Sequence, residues 1–251
     1  MLRTDVAYVV NSTPKYYFLL KGHFALLDIY ARGLQWPVYI GSEVPDAMDY
    51  PATCIPLSES NSGFWESRVA TVEALPNEIK YVLPMQEDFL LERKVDSEGL
   101  EKILEYMDTH SDIVSARLMP CPGPDSKVEV LEGWSQLSER DLYLFVFQAT
   151  LWRREAYVSY LKAIIEKAKG LYIGLDSTTW NKMAVGENLA ENSVGREIFL
   201  KVFKGKRHLA WIRSSKRPNA VYDSLWPYRP TAVVKGVFQE WAKDLLLREG
   251  L

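Results

Sequence analysis

The residues most suggestive of chemistry lie in Tyr81-Val82-Leu83-Pro84-Met85-Gln86-Glu87-Asp88-Phe89-Leu90-Leu91, an apolar run that ends in adjacent acids. If the run is a strand of an open α/β sheet, its carboxyl end is where such sheets bind ligands. Carboxylates there are costly to desolvate unless a cation or a donor satisfies them. A Mg²⁺ or Mn²⁺ ion bridging a carboxylate and a diphosphate would do so, because hard cations take oxygen ligands. The competing reading is a helix cap or an ion pair at a strand end, and the pattern alone does not choose between them.

Four further groups belong to the same inventory. Arg68, three residues after Trp65, could fork onto a diphosphate or could be a solvated surface arginine. Lys235-Gly236 pairs a point charge with a residue that permits close approach, against an ordinary strand-to-helix turn. The polar stretch Asp176 to Glu197 holds acids able to take a proton from an attacking hydroxyl. The basic stretch Lys201 to Lys206 is either a solvated face or a hold on a phosphorylated or lipid-linked acceptor at a membrane surface.

These residues need a scaffold, and hydrophobic spacing indicates one. Val6–Val10 reads as a buried strand closed by Asn11-Ser12-Thr13-Pro14, a turn that can cap a helix. Leu20, Phe24, Leu27 and Ala31 repeat at helical spacing, and Pro37–Ile40 is a second strand, so a βαβ unit opens the chain. A third strand is expected at Thr53–Leu57, a helix over Phe64–Leu75, and a central strand over Ile79–Met85. Leu100, Ile103, Leu104 and Met107 mark a helix capped by Asp96 or Ser97. Ile113–Leu118 is another strand and Pro120–Asp125 a turn. Leu142–Phe147 reads as a strand, followed by a helix with Tyr157, Tyr160, Leu161 and Ile164 on one face. Gly170 to Gly195 has poor periodicity, as irregular functional loops do. Thr231–Val234 is expected as a strand, and Phe238, Trp241 and Leu245 as the face of a last helix. One domain over residues 1–251 is expected.

Hydrophobic residues make up 47% and charged residues 25% of the chain, and the net charge is -3. That balance suits a globular protein and argues against one built to neutralise nucleic-acid backbone. Two cysteines and three scattered histidines offer no disulfide framework and no zinc spacing. Without an apolar run long enough to span a bilayer or a visible leader, a reducing, cytoplasmic setting is expected. No GxSxG, Walker A or GxGxxG motif is present.

The stretch Phe64-Trp65-Glu66-Ser67-Arg68, its helix, and the strand running into Gln86-Glu87-Asp88-Phe89 resemble bacterial and viral sugar transferases of the GT-A fold. Phe147-Gln148-Ala149-Thr150-Leu151-Trp152-Arg153-Arg154-Glu155 is similar to their Q-x-x-x-W-R-R-E segment, and Val233-Val234-Lys235-Gly236 with the following helix is similar to their tail. The resemblance implies an α/β, Rossmann-like GT-A fold with a mixed, mainly parallel sheet flanked by helices, its nucleotide-binding half at 1–118 and its sugar and acceptor half at 119–251. It implies sugar transfer from a nucleotide diphosphate to a saccharide or lipid-linked hydroxyl, inverting and assisted by Mn²⁺ or Mg²⁺. Within it, Asp88 would hold the metal, Gln86 would face the ribose or sugar, and Glu87, Trp65 and Arg68 would belong to the donor site. Asn11, Ser12, Thr13 and Ser42 match positions lining the nucleotide pocket, and Gln148 and Trp152 would flank the sugar. Glu191 falls near the family's functional acid, with Glu187 and Asp176 as rivals. Gln86 departs from the family's first acid, and an amide is a weak metal ligand. Two rival classes remain: a nucleotidyltransferase, which would carry a Gly-rich basic loop after the first strand, and a catalytically silent nucleotide- or carbohydrate-binding protein.

Overall fold

The computed structural model describes residues 3–44, 51–58, 63–119, 124, 128–141, 143–171, 193–212 and 224–251. β1 (Val6–Asn11) alternates its side chains between two cores, as the period of two in a strand requires. Val6, Tyr8 and Val10 enter one core, and Ala7 and Val9 the other. A strand buried on both faces reads as an unbroken apolar run, which is why the sequence signal at 6–10 is so plain.

The elements that follow are α1 (Leu20–Ala31), β2 (Val38–Ser42), β3 (Thr53–Pro56), α2 (Phe64–Glu73), β4 (Tyr81–Gln86), β5 (Leu90–Leu91), α3 (Ser97–Thr109) and β6 (Ile113–Arg117). The chain continues through β7 (Glu129–Leu131), β8 (Trp134–Gln136), β9 (Thr150–Arg153), α4 (Arg154–Leu171), α5 (Ser193–Val202) and β10 (Arg207–Trp211). It ends with β11 (Tyr228–Arg229), β12 (Val233–Val234), β13 (Val237–Phe238) and α6 (Glu240–Arg248).

Nine strands form one sheet in the order β3-β2-β1-β4-β9-β6-β10-β8-β7. Parallel pairs join β1 to β2 and β4, β2 to β3, and β6 to β10. β9 lies antiparallel between β4 and β6, and β8 antiparallel between β10 and β7. All the strands but β8 and β9 therefore run one way. Helices cover both faces: α1, α3 and α6 contribute Leu20, Ile103 and Leu245 to one core, while α2, α4 and α5 contribute Trp65, Tyr160 and Phe199 to the other. This is the mixed, mostly parallel sheet flanked by helices that was expected from the sequence.

Several elements differ from expectation. Residues 143–149 are a bent, irregular segment rather than a strand, although Leu144, Phe145, Val146 and Phe147 are all buried. A short continuous apolar run marks burial without marking conformation, and the ladder position is taken by β9 instead. Lys235-Gly236 is not a strand-to-helix turn. Both residues have left-handed backbone, with φ of 52° and 79°, and they close the β12–β13 hairpin. Two left-handed residues in a two-residue loop are the type I′ geometry whose twist matches that of the strands it joins. Asp96 caps α3 as expected, accepting from Gly99 N at 2.9 Å.

Candidate functional site

The site begins with strand register. Asn11 is paired with Gly41 of β2 and with Gln86 of β4, so the carboxyl ends of three adjacent parallel strands lie level. Ser42 is the next residue on β2. It is fully buried, and its Oγ meets Tyr17 Oη at 2.9 Å and accepts from Val44 N at 3.0 Å. Ser42 is thus already engaged in fixing the loop that leaves β2.

On its other side β4 pairs with β9 at Tyr81 and Val82. Pro84 has no N–H with which to extend a ladder. Beyond Val82 a narrow cleft of about 10 Å³, room for about one water molecule, lies along β4, walled by Pro84, Met85 and Gln86 on one side and by the bent segment Phe145–Gln148 on the other. Asn11, Arg68, Thr150, Trp152 and Tyr157 complete its lining. Five residues picked from the sequence, Asn11, Arg68, Gln86, Gln148 and Trp152, therefore meet at one place.

Their environments differ. Asn11 Nδ2 donates to Met85 O at 3.4 Å. Arg68 is 6% exposed, donates to Phe64 O at 2.7 Å, and lies 3.7 Å from the centre of the Phe64 ring. It is a buried cation stacked on an aromatic face, not a solvated surface arginine. Gln148 Oε1 accepts from the Tyr228 hydroxyl, which in turn accepts from Ala149 N at 3.1 Å. Trp152 is buried among Phe145, Tyr157, Phe199, Phe203 and His208, so its ring is chiefly core at the cleft floor. Trp65 is likewise buried, against Phe64 and Phe147. The two arginines that follow Trp152 support backbone. Arg153 donates to Ile113 O at 2.7 Å and His110 O at 3.2 Å, and Arg154 donates to carbonyls at Glu73, Leu75 and Pro76 around the end of α2.

The acidic residues form a turn at the mouth of β4, closed by Phe89 N donating to Gln86 O at 3.2 Å. Glu87 is 8% exposed, and burial pushes its carboxyl up to about 8. Its own backbone N–H and Arg68 oppose that rise, while neighbouring Asp88 adds to it. Burial thus favours the neutral form of the Glu87 carboxyl near pH 7. Asp88 is partly exposed, and its carbonyl accepts from Ala232 N at 3.0 Å. Among the described residues no three His, Cys, Asp or Glu side chains converge as a metal site. A cation that arrives with a diphosphate and water takes a carboxylate oxygen from the protein, and the partly exposed Asp88 fits that role better than the buried Glu87.

His23, which sequence reading left aside, fixes the turn from below. Its Nδ1 donates to Glu87 O at 3.1 Å, and its Nε2 therefore accepts from the Tyr8 hydroxyl at 2.9 Å. Burial holds the ring down at about 4, so it is neutral and keeps this tautomer. Tyr157 was also missed as a cleft residue; its hydroxyl is buried without a partner among the described residues. Nothing in the sequence separates it from Tyr160 and Leu161 on the same helical face. Ser12 Oγ is likewise buried and unpartnered, while Thr13 is exposed and opens the 3-10 segment Pro14–Leu19 without a side-chain cap. Lys235 is exposed at the hairpin tip, outside the cleft lining. Glu191, Glu187 and Asp176 lie outside the described residues.

No protein-family model and no curated protein matches the chain. Among solved structures, the S. aureus TarS crystal structure is similar over 84% of this chain and 36% of that one, at 10% identity and a TM-score of 0.48. The S. aureus TarS 1-349 structure in complex with UDP-GlcNAc is similar over 86% of this chain and 60% of that one, at 10% identity and a TM-score of 0.43. A CMP:2-keto-3-deoxy-manno-octonic acid synthetase complexed with CTP is similar over 99% of this chain and 100% of that one, at 11% identity and a TM-score of 0.48. The chain spans about three fifths of the length of TarS 1-349. Among the described residues, no helix is long and apolar enough to cross a membrane.

Proposed function

We propose that the protein is a nucleotide-sugar-dependent glycosyltransferase of hexosyltransferase type, acting in the cytoplasm on a hydroxyl of a saccharide or lipid-linked acceptor. The observation that supports this reading is the meeting of Asn11, Arg68, Gln86, Gln148 and Trp152 at one cleft on the carboxyl edge of the sheet, two residues from Asp88. In this reading Gln86 hydrogen-bonds a ribose or sugar hydroxyl, and Asn11, Ser12, Thr13 and Ser42 border the nucleotide. Arg68 supplies positive potential from behind the cleft, and Lys235 approaches the diphosphate from the hairpin. Asp88 is the protein ligand of Mg²⁺ or Mn²⁺, which when bound offsets the charge that develops on the departing diphosphate. Glu191 takes the proton of the acceptor hydroxyl as its oxygen bonds to the anomeric carbon with inversion, while the bond from that carbon to the diphosphate oxygen breaks.

The test is a thermal-shift panel of UDP-, GDP-, dTDP- and CMP-sugars with and without Mn²⁺. A ligand at a hundred times its dissociation constant adds about 2.7 kcal/mol of stability. A melt that no nucleotide sugar moves sinks the reading. Asp88→Ala should remove the Mn²⁺-dependent part of any shift, and an unchanged response would relocate the ion. A second reading, a catalytically silent nucleotide- or carbohydrate-binding protein, is favoured by the amide at Gln86 and the buried carboxyl at Glu87. Donor hydrolysis without acceptor separates the two, because a silent protein shifts its melt yet releases no nucleotide.

A further inference from the structure

The 3-10 segment Pro14–Leu19 leaves β1 at the sheet edge that carries the cleft and runs straight into α1. Residues three apart eclipse one another in a 3-10 helix. Lys15 and Phe18 therefore share one side, and Lys21 in the first turn of α1 continues it. All three are exposed, Phe18 by 61%.

One exposed phenylalanine needs no explanation, but this one belongs to a cluster. Its ring meets Phe238 edge-on with 6.3 Å between centroids. Phe238 lies on the β12–β13 hairpin, where Val234 and Val237 are 44% and 64% exposed. The hairpin is not a loose flap: Ala232 N donates to Asp88 O at 3.0 Å, and Gln239 N donates to Ala232 O at 2.8 Å. Two distant segments of the chain thus present one apolar ridge beside the acidic turn. Lys235 lies in the hairpin loop between Val234 and Val237, and Lys15 and Lys21 flank Phe18 at three-residue spacing, the Lys15 ammonium 5.3 Å from the Tyr16 ring. Among neighbouring acids, Glu240 is taken up by Lys243 at 2.5 Å, and Glu43 approaches from the Tyr17 side.

An apolar crest with a lysine rim matches the interface of an anionic bilayer, where rings settle at the headgroup level and each lysine near the surface strengthens attachment. A second copy of the chain is a poorer fit, because a two-fold contact would bring the lysine rim close to its own image. We infer that the Phe18–Val237 ridge docks on an anionic lipid surface and holds the mouth of the cleft toward it. The inference does not depend on sugar transfer, since lipid binding is read without donor or acceptor.

The experiment is co-sedimentation of the full chain with vesicles of phosphatidylglycerol and phosphatidylcholine, against phosphatidylcholine alone, at low and high salt. The protein should sediment with the anionic vesicles, remain in solution with the neutral ones, and be released by salt. Lys15→Gln should weaken partitioning about fivefold, the loss expected for one lysine at an anionic surface. Val237→Ser should also weaken it while leaving the melting temperature in place, because that side chain is largely in solvent. Absence of binding to anionic vesicles at low salt overturns the inference, as does equal binding to both vesicle types or unchanged binding of both variants. A dimer seen by sedimentation velocity and abolished by Val237→Ser assigns the ridge to self-association instead.

Discussion

His208 on β10 offers a measurement of the second core. It is 5% exposed and ringed by Phe199, Phe203 and Trp152, with centroids 4.3, 4.9 and 6.0 Å away. Its Nδ1 meets Ser115 Oγ at 2.8 Å, and its Nε2 has no partner among the described residues. Burial alone drives the ring from its ordinary 6.5 to about 3. A depressed histidine binds its proton more readily once unfolded, so its contribution is complete above pH 6.5 and is lost as pH falls toward 3. Between pH 7 and pH 5 that loss is about 2 kcal/mol. His208→Leu keeps an apolar side chain in the cage and removes the titration. Urea unfolding of both proteins at pH 7 and pH 5 should show the wild type losing about 2 kcal/mol more than the variant, with the carboxylates common to both cancelling. A difference under about 0.5 kcal/mol would mean that the ring reaches water or a counter-ion in the folded state, and the closed aromatic cage would be wrong.

Other outcomes follow from single contacts. Gly133 has φ of 80°, and an added Cβ would sit 2.3 Å from the Trp211 ring, so Gly133→Ala should cost about 2–4 kcal/mol by chemical denaturation. Arg153 serves carbonyls of both α3 and its following turn, and Arg153→Lys, which cannot fork to them, should lower stability by about 2 kcal/mol in the same assay. Tyr228→Phe removes the bridge from Gln148 to Ala149 N. It should cost about 1–3 kcal/mol and weaken any sugar that depends on the Gln148 orientation, checked by calorimetric titration alongside the melt.

The parts of this protein legible in its sequence are those in which neighbouring residues settle the outcome. β1 and β4 are buried on both faces, so their unbroken apolar runs could be read directly, and with them the placement of Gln86-Glu87-Asp88 at a strand end. Asp96 could be read as a cap because capping is a local hydrogen bond. The rest depended on partners far along the chain. Burial at 143–149 showed in composition, but its bent path follows from β9 occupying the slot between β4 and β6. β10 gave no strong signal of its own, because its pairing with β6 and β8 is what makes it a strand. Arg68, Trp65 and Trp152 were legible as residue types suited to a ligand, yet their burial depends on which aromatic rings close over them. The upward shift of the Glu87 carboxyl likewise arises first from burial, with Asp88 beside it adding and Arg68 opposing, and a one-dimensional pattern does not carry that burial.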